Sequence, residues 1–168
     1  MSKLVLIDDE AIFHKIVQMT LKYSELSHQA TYSYDGEIVL DYLEENKLKS
    51  TSLPDYIFID LYMPRFNGWD FLNRFQEIYR SLKKNINIYV VSSSVDPRDV
   101  DRSKTYPFVT TFISKPVMKE IFETISMAWS ARAIRWSVFS SLQYLLLCTQ
   151  LLLSILPYQY PKIRTFAV

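Results

Sequence analysis

Five polar groups in this chain stand directly after short apolar runs, and together they could do phosphate or metal chemistry. Asp60 ends the run Tyr56-Ile-Phe-Ile59 and opens a loop, Leu61-Tyr-Met-Pro64. Leu4-Val-Leu-Ile7 ends in Asp8-Asp9-Glu10, Ile86-Asn-Ile-Tyr-Val-Val91 in Ser92-Ser-Ser94, and Val109-Thr-Thr-Phe-Ile113 in Ser114-Lys115-Pro116. Runs of four to six residues rich in β-branched and aromatic side chains predict buried strands. In open α/β sheets, ligand-binding groups collect beyond the strand carboxyl ends. Parallel pairing of the four runs would therefore bring Asp8, Asp9, Asp60, Ser92 and Lys115 to one edge of a sheet. Taken singly, each group has a plainer reading. An aspartate or serine after a strand starts a turn, and an acidic pair there caps the next helix by accepting its free amides.

The joint placement of these motifs resembles the receiver domain of bacterial response regulators, over about Lys3 to Trp129. Matched residue by residue, the resemblance implies that Asp60 is the phosphoacceptor and that Asp8 and Asp9 are the acidic pair that helps to hold a divalent metal. It puts Ser92 at the switch hydroxyl, Lys115 at the phosphate-binding lysine, Phe112 at the aromatic switch position, and the backbone carbonyl of Tyr62 among the metal ligands. Phenylalanine keeps the ring of the usual tyrosine but not its hydroxyl. Three crowded carboxylates repel one another unless one is protonated or a cation is bound. Magnesium fits, because it accepts one or two carboxylates, waters and a phosphate oxygen together. The implied reaction is attack by Asp60 on a phosphoryl group from a histidine kinase or phosphotransfer protein, with positive charge on the equatorial oxygens. Output would pass through contact with a downstream protein.

The elements that must position these groups are visible as alternating patterns. After Asp8-Asp9, apolar residues at Ile12, Phe13, Ile16, Val17, Met19 and Leu21 predict an amphipathic helix, with His14 on its polar side. Gln29-Ala-Thr-Tyr-Ser33 predicts a strand, Asp35-Gly36 a turn, and Ile38, Val39, Tyr42 and Leu43 the inward face of a second helix. Asn67-Gly68 supplies backbone freedom before a third helix with Trp69, Phe71, Leu72 and Phe75 inward. Val95 to Pro107 has few apolar residues and predicts a short, weakly anchored fourth helix. Ile121, Phe122, Ile125 and Trp129 predict a fifth over Met118–Trp129. Strands alternating with helices of this length imply parallel pairing through right-handed crossovers. The expected fold is a flavodoxin-like, doubly wound five-stranded sheet of order 2-1-3-4-5, which the resemblance also implies.

Composition narrows the function. The 168 residues carry 19 basic and 18 acidic side chains, so no global positive field points to nucleic acid. Only two glycines are present, which argues against a Gly-rich phosphate loop. Cys148 stands alone and the two histidines are far apart, so neither a disulfide nor a zinc site is expected. The amino terminus is too soon acidic for a signal peptide, and a reducing cytoplasm is the default.

Two other functions compete with the switch. A metal-dependent phosphohydrolase of the haloacid dehalogenase type also uses a strand-end aspartate, but its Asp-x-Asp pattern meets Tyr62 here at the second position. A degenerate receiver that only binds would lack some of the key positions, and all five are filled.

Domain organisation is expected as a receiver over 1–131 and a hydrophobic helical extension over 132–168. Val138 to Leu156 is 19 residues without a charge, preceded by Arg132 and Arg135 and stopped by Pro157. That length meets the minimum for a membrane span with a cytoplasmic receiver. Against a span, Ser140, Gln143, Gln150 and Ser154 fall on one stripe, which also suits a helix lying on another protein or on itself. A tail read in a shifted frame is a third alternative. The soluble or interfacial helix is preferred, with membrane contact through 138–156 as its rival.

Overall fold

The computed structural model describes residues 3–22 and 25–115. The expected fifth helix, Pro116 and the extension over 132–168 lie outside them. Five parallel strands, β1 (Leu4–Ile7), β2 (Ala30–Ser33), β3 (Tyr56–Ile59), β4 (Asn87–Ser92) and β5 (Val109–Ser114), pair in the order β2-β1-β3-β4-β5. This is the flavodoxin-like order, and it puts β1 and β3 side by side. Between the strands run helices α1 (Ala11–Leu21), α2 (Gly36–Glu45), α3 (Gly68–Ile78) and α4 (Pro97–Ser103).

Side-chain alternation along each strand divides the core between the two faces of the sheet. Ile7, Ile57, Ile59, Ile88 and Val90 pack with Leu40 and Leu43 of α2 and with Phe71, Leu72 and Phe75 of α3. Leu4, Leu6, Tyr56, Phe58, Val91 and Ile113 pack with Phe13, Val17 and Leu21 of α1. All four residues of β3 are buried, as a central parallel strand covered on both faces requires.

A register shift lies between Ile88 and Tyr89. Ile88 is opposite Val109, whereas Tyr89 is opposite Thr111. The extra residue turns Phe112 to the side of Val90, where it packs, half-buried, against the α2 and α3 core. Without the shift Phe112 would fall beside Val91 on the α1 face.

The structure corrects five local expectations. Only one of the two apolar rows of α1 is inward: Phe13, Val17 and Leu21 are buried, while Ile12, Ile16 and Met19 face solvent. His14 turns in beside the first row and is buried, stacked on Tyr34 at 4.4 Å and tilted against Tyr32 at 5.6 Å. On α2, Ile38 and Tyr42 are exposed, and Leu40 takes the inward place beside Val39 and Leu43. Gln29 belongs to a 3-10 turn, Glu25–Gln29, so β2 begins at Ala30.

The fifth correction concerns Asn67-Gly68, which supplies a cap and a close approach where backbone freedom was expected. Asn67 is extended at φ −85° and caps α3. Its side chain accepts from the Asp70 amide at 3.0 Å, and the Asp70 carboxylate accepts from the Asn67 amide at 3.2 Å. A β-carbon on Gly68 would meet the Asp60 carbonyl oxygen and come within 2.8 Å of Leu61 Cα. The left-handed residue of this loop is Arg65, at φ 68°.

Candidate functional site

Backbone pairing carries the acidic groups to one place. The Asp8 amide donates to the Ser33 carbonyl at 3.1 Å and the Asp60 amide to the Ile7 carbonyl at 3.0 Å, so both aspartates stand just past their strands on neighbouring rows. Both are buried, and Asp9 beside them is exposed. Ligand oxygens of Asp8, Asp9 and Asp60 lie within 4.8 Å of one another. Asp8 also serves the backbone, its Oδ1 accepting from the Glu10 amide at 2.8 Å. The N-cap residue of α1 is Glu10, whose own side chain makes no cap bond. The acidic pair therefore supports the helix entry without being the cap.

Lys115 reaches this cluster from the far side of the sheet. Its amide donates to the Ser92 carbonyl at 2.8 Å, extending the β4–β5 ladder by one residue. Its Nζ lies 2.7 Å from Asp8 Oδ2 and 3.1 Å from Asp60 Oδ2. The same ammonium sits 4.5 Å from the centre of the Phe13 ring, which gives it a cation–π contact and an apolar floor. Sequence reasoning placed Phe13 only in the core. The strand-end lysine and an aromatic on the first turn of α1 are its only signal.

The balance of charge at the site is uneven. Burial raises the Asp60 carboxyl above the usual aspartate range. The Lys115 ammonium and the Tyr62 amide draw it down, and Asp8 pushes it up. Burial draws the Lys115 ammonium down, but its close pairing with Asp8 and the charges of both carboxylates outweigh this and leave it raised. Asp60 Oδ1 is buried without a partner in hydrogen-bond geometry, and Asp8 Oδ2 meets Lys115 only as an ion pair. Such under-satisfied oxygens, close together and shared by one ammonium, form a donor set that a hard divalent cation fits.

Ser92 is buried at the end of β4, where its Oγ accepts from the Ser94 amide at 3.1 Å. It is one strand away from Asp60, β4 being the neighbour of β3. All of the expected side chains thus come from the carboxyl ends of β1, β3, β4 and β5. Tyr62 follows in the loop after β3, with an exposed ring. Gly68 is the element that composition alone undervalued: its amide donates to the Leu61 carbonyl at 2.9 Å, and α3 starts so close to Asp60 that only glycine fits.

With this geometry in place, comparison with known proteins decides the family. The family model of the response regulator receiver domain matches residues 4–126. The chain belongs to this family. Receiver domains are signalling modules of two-component systems, and the cluster of Asp8, Asp9 and Asp60 fits their phosphorylation site. A two-component response regulator from Cytophaga hutchinsonii is similar in structure, with 24% identity and a TM-score of 0.65 over 74% of this chain and 92% of that one. The Mn(2+)-bound form of response regulator Rcp1 is 25% identical, with a TM-score of 0.57 over 75% and 90% of the two chains. The phosphorylated cyanobacterial phytochrome response regulator RcpA is also 25% identical, at a TM-score of 0.57 over 74% and 88%. No curated protein matched the sequence. Among the described residues of this receiver, no helix is long and apolar enough to cross a membrane.

Proposed function

We propose that this receiver is a magnesium-dependent phosphorylation switch with Asp60 as the phosphoacceptor. The observation that carries the reading is the placement of Lys115 Nζ between Asp8 and Asp60, beside an Asp60 oxygen that has no hydrogen-bond partner. The donor is a phosphohistidine of a histidine kinase or phosphotransfer protein. An Asp60 oxygen forms the new bond to phosphorus, the phosphorus–nitrogen bond breaks, and the imidazole, already protonated on its other ring nitrogen, leaves neutral. Lys115 neutralises charge on the equatorial oxygens, and burial keeps water from competing.

Asp8, Asp9, Asp60 and the carbonyl of Tyr62 would hold Mg2+. Bound there, the cation supplies charge neutralisation and orientation for the phosphate oxygens. The manganese bound by Rcp1 and the phosphorylated state of RcpA support this reading, both proteins being 25% identical to this chain. Ser92 then turns its hydroxyl toward the new phosphoryl group, Phe112 repacks, and a downstream protein reads the altered surface. The receiver is assigned to 1–131 and to the cytoplasm, with 138–156 as the segment that would make contact with a membrane.

The test is incubation with a small phosphodonor and magnesium, followed by intact mass. One phosphoryl group should add to the parent and none to Asp60→Asn. No gain with any donor, or an undiminished gain in the variant, would refute the assignment.

A further inference from the structure

The side chain of Tyr62 does something its backbone role leaves unexplained. Although its ring is largely solvated, its hydroxyl donates to Asp99 Oδ2 at 2.6 Å. Asp99 lies in the first turn of α4, so this bond joins the loop after β3 to a helix 37 residues further along. The same carboxylate oxygen accepts from Ser94 Oγ at 2.5 Å. Ser94 in turn donates its amide to Ser92 Oγ at 3.1 Å and accepts the Asp96 amide on its own hydroxyl at 3.2 Å.

Among the described residues, α4 has little else to fix it. Ser103 is its one buried residue, and its other contact of note is Arg102 over the Trp69 ring at 4.0 Å. Few apolar anchors make an element cheap to move, and the more so when a single carboxylate gathers its polar ties. We propose that Tyr62, Ser94 and Asp99 are positioning residues, forming a tether through Asp99 Oδ2 that fastens α4 to the metal-binding loop and so sets the direction of the Tyr62 carbonyl. Because coupling is reciprocal, binding at the carbonyl must tighten α4, and loosening α4 must weaken binding at the carbonyl. The inference rests on the metal site proposed above.

Tyr62→Phe is the cleanest probe, since it removes one hydroxyl and changes no charge. In the full-length chain, magnesium titration and amide exchange over 97–103 are compared for the parent, Tyr62→Phe, Asp99→Ala and the double variant. Loss of the Tyr62 hydrogen bond predicts roughly two- to tenfold weaker magnesium binding and α4 exchange faster by a similar factor in Tyr62→Phe, and losses at least as large in Asp99→Ala, which also gives up the bond from Ser94. The double variant should be no worse than Asp99→Ala alone, because both changes remove the same bond. Unchanged exchange in Tyr62→Phe, or strictly additive losses in the double variant, would overturn the tether. The exchange measurement needs no metal. A parent that fails to bind magnesium therefore refutes the proposed metal site, while exchange still decides whether Tyr62 holds α4.

Discussion

Replacing Asp60 by asparagine should stabilise the metal-free protein at neutral pH. Asp60 lies 3.1 Å from the Lys115 ammonium, which is nearer still to Asp8, at 2.7 Å. At an effective dielectric constant of about 20, the attraction to Lys115 is roughly 5 kcal/mol. Repulsion from each of Asp8 and Asp9, across no more than 4.8 Å, is roughly 3.5 kcal/mol on the same scale. The two repulsions exceed the attraction by about 1–2 kcal/mol before burial of Asp60 is counted, and screening of exposed Asp9 trims that excess. Asparagine keeps the shape, removes the charge and leaves Lys115 its bond to Asp8. The expected gain is about 1 kcal/mol, or a melting temperature higher by roughly 3–8 °C. The sign with pH follows from the raised carboxyl of Asp60. A raised group adds stability that is full below its unfolded value and lost as pH rises through its folded one. The parent therefore carries its penalty at neutral pH, and the advantage of the variant should shrink as the pH falls toward about 4, the ordinary aspartate value. Melting curves in chelator across that range test it, and saturating magnesium should reverse the order by favouring the parent. A lower melting temperature for the variant at pH 7 without metal, or a gain independent of pH, would refute the argument.

Other substitutions test other parts of the geometry. Changing Asp8 and Asp9 together to Asn should weaken magnesium binding by at least about tenfold in a calorimetric titration, since one carboxylate and a carbonyl remain. Gly68→Ala should destabilise by roughly 2–4 kcal/mol in chemical denaturation, because its β-carbon meets the Asp60 carbonyl and Leu61 Cα, outweighing the usual preference of a helix for alanine. On α1, Phe13→Ala should cost about 3 kcal/mol or more while Ile12→Ala, on the exposed row, should cost no more than about 0.5; equal costs would show that the helix is rotated from the face described.

The fold was legible where apolar periodicity had one solution. Tyr56–Ile59 is apolar without interruption and could only be a strand buried on both faces, and Trp69, Phe71, Leu72 and Phe75 mark a single helical stripe. Where two stripes competed, periodicity could not choose. Ile12, Ile16 and Met19 repeat as regularly as Phe13, Val17 and Leu21, and only the β-sheet beneath α1, together with the tyrosines at the end of β2 that receive His14, settles the matter. The candidate site residues could be placed from sequence because each stands at or just past the end of a strand, and strand ends survive errors of a residue in the boundaries. Their non-local ties were not. Nothing in local sequence announces that Asp99 will accept from Tyr62, or that Gly68 will touch the Asp60 carbonyl, because both depend on how loops from different crossovers meet.

The bulge in β5 shows why position in sequence and position in the sheet must be argued separately. An unbroken β4–β5 ladder from Ile88 and Val109 would set Phe112 beside Val91, on the α1 face, away from α3 and α4. The one-residue shift between Ile88 and Tyr89 moves it opposite Val90 and also brings Ser114 opposite Ser92, so that Lys115 follows just beyond the ladder. One irregularity thus serves two ends. It delivers the ammonium to the acidic cluster, and it puts the aromatic ring on the side of the sheet where its packing partners belong to the α2 and α3 core. The polar path from Ser92 through Ser94 to Asp99 runs to α4. Any rearrangement that starts at the Ser92 hydroxyl therefore has an apolar outlet at Phe112 and a polar one at Asp99. Both lead to the region between the end of β4 and β5, where α4 has the fewest buried residues of the four described helices.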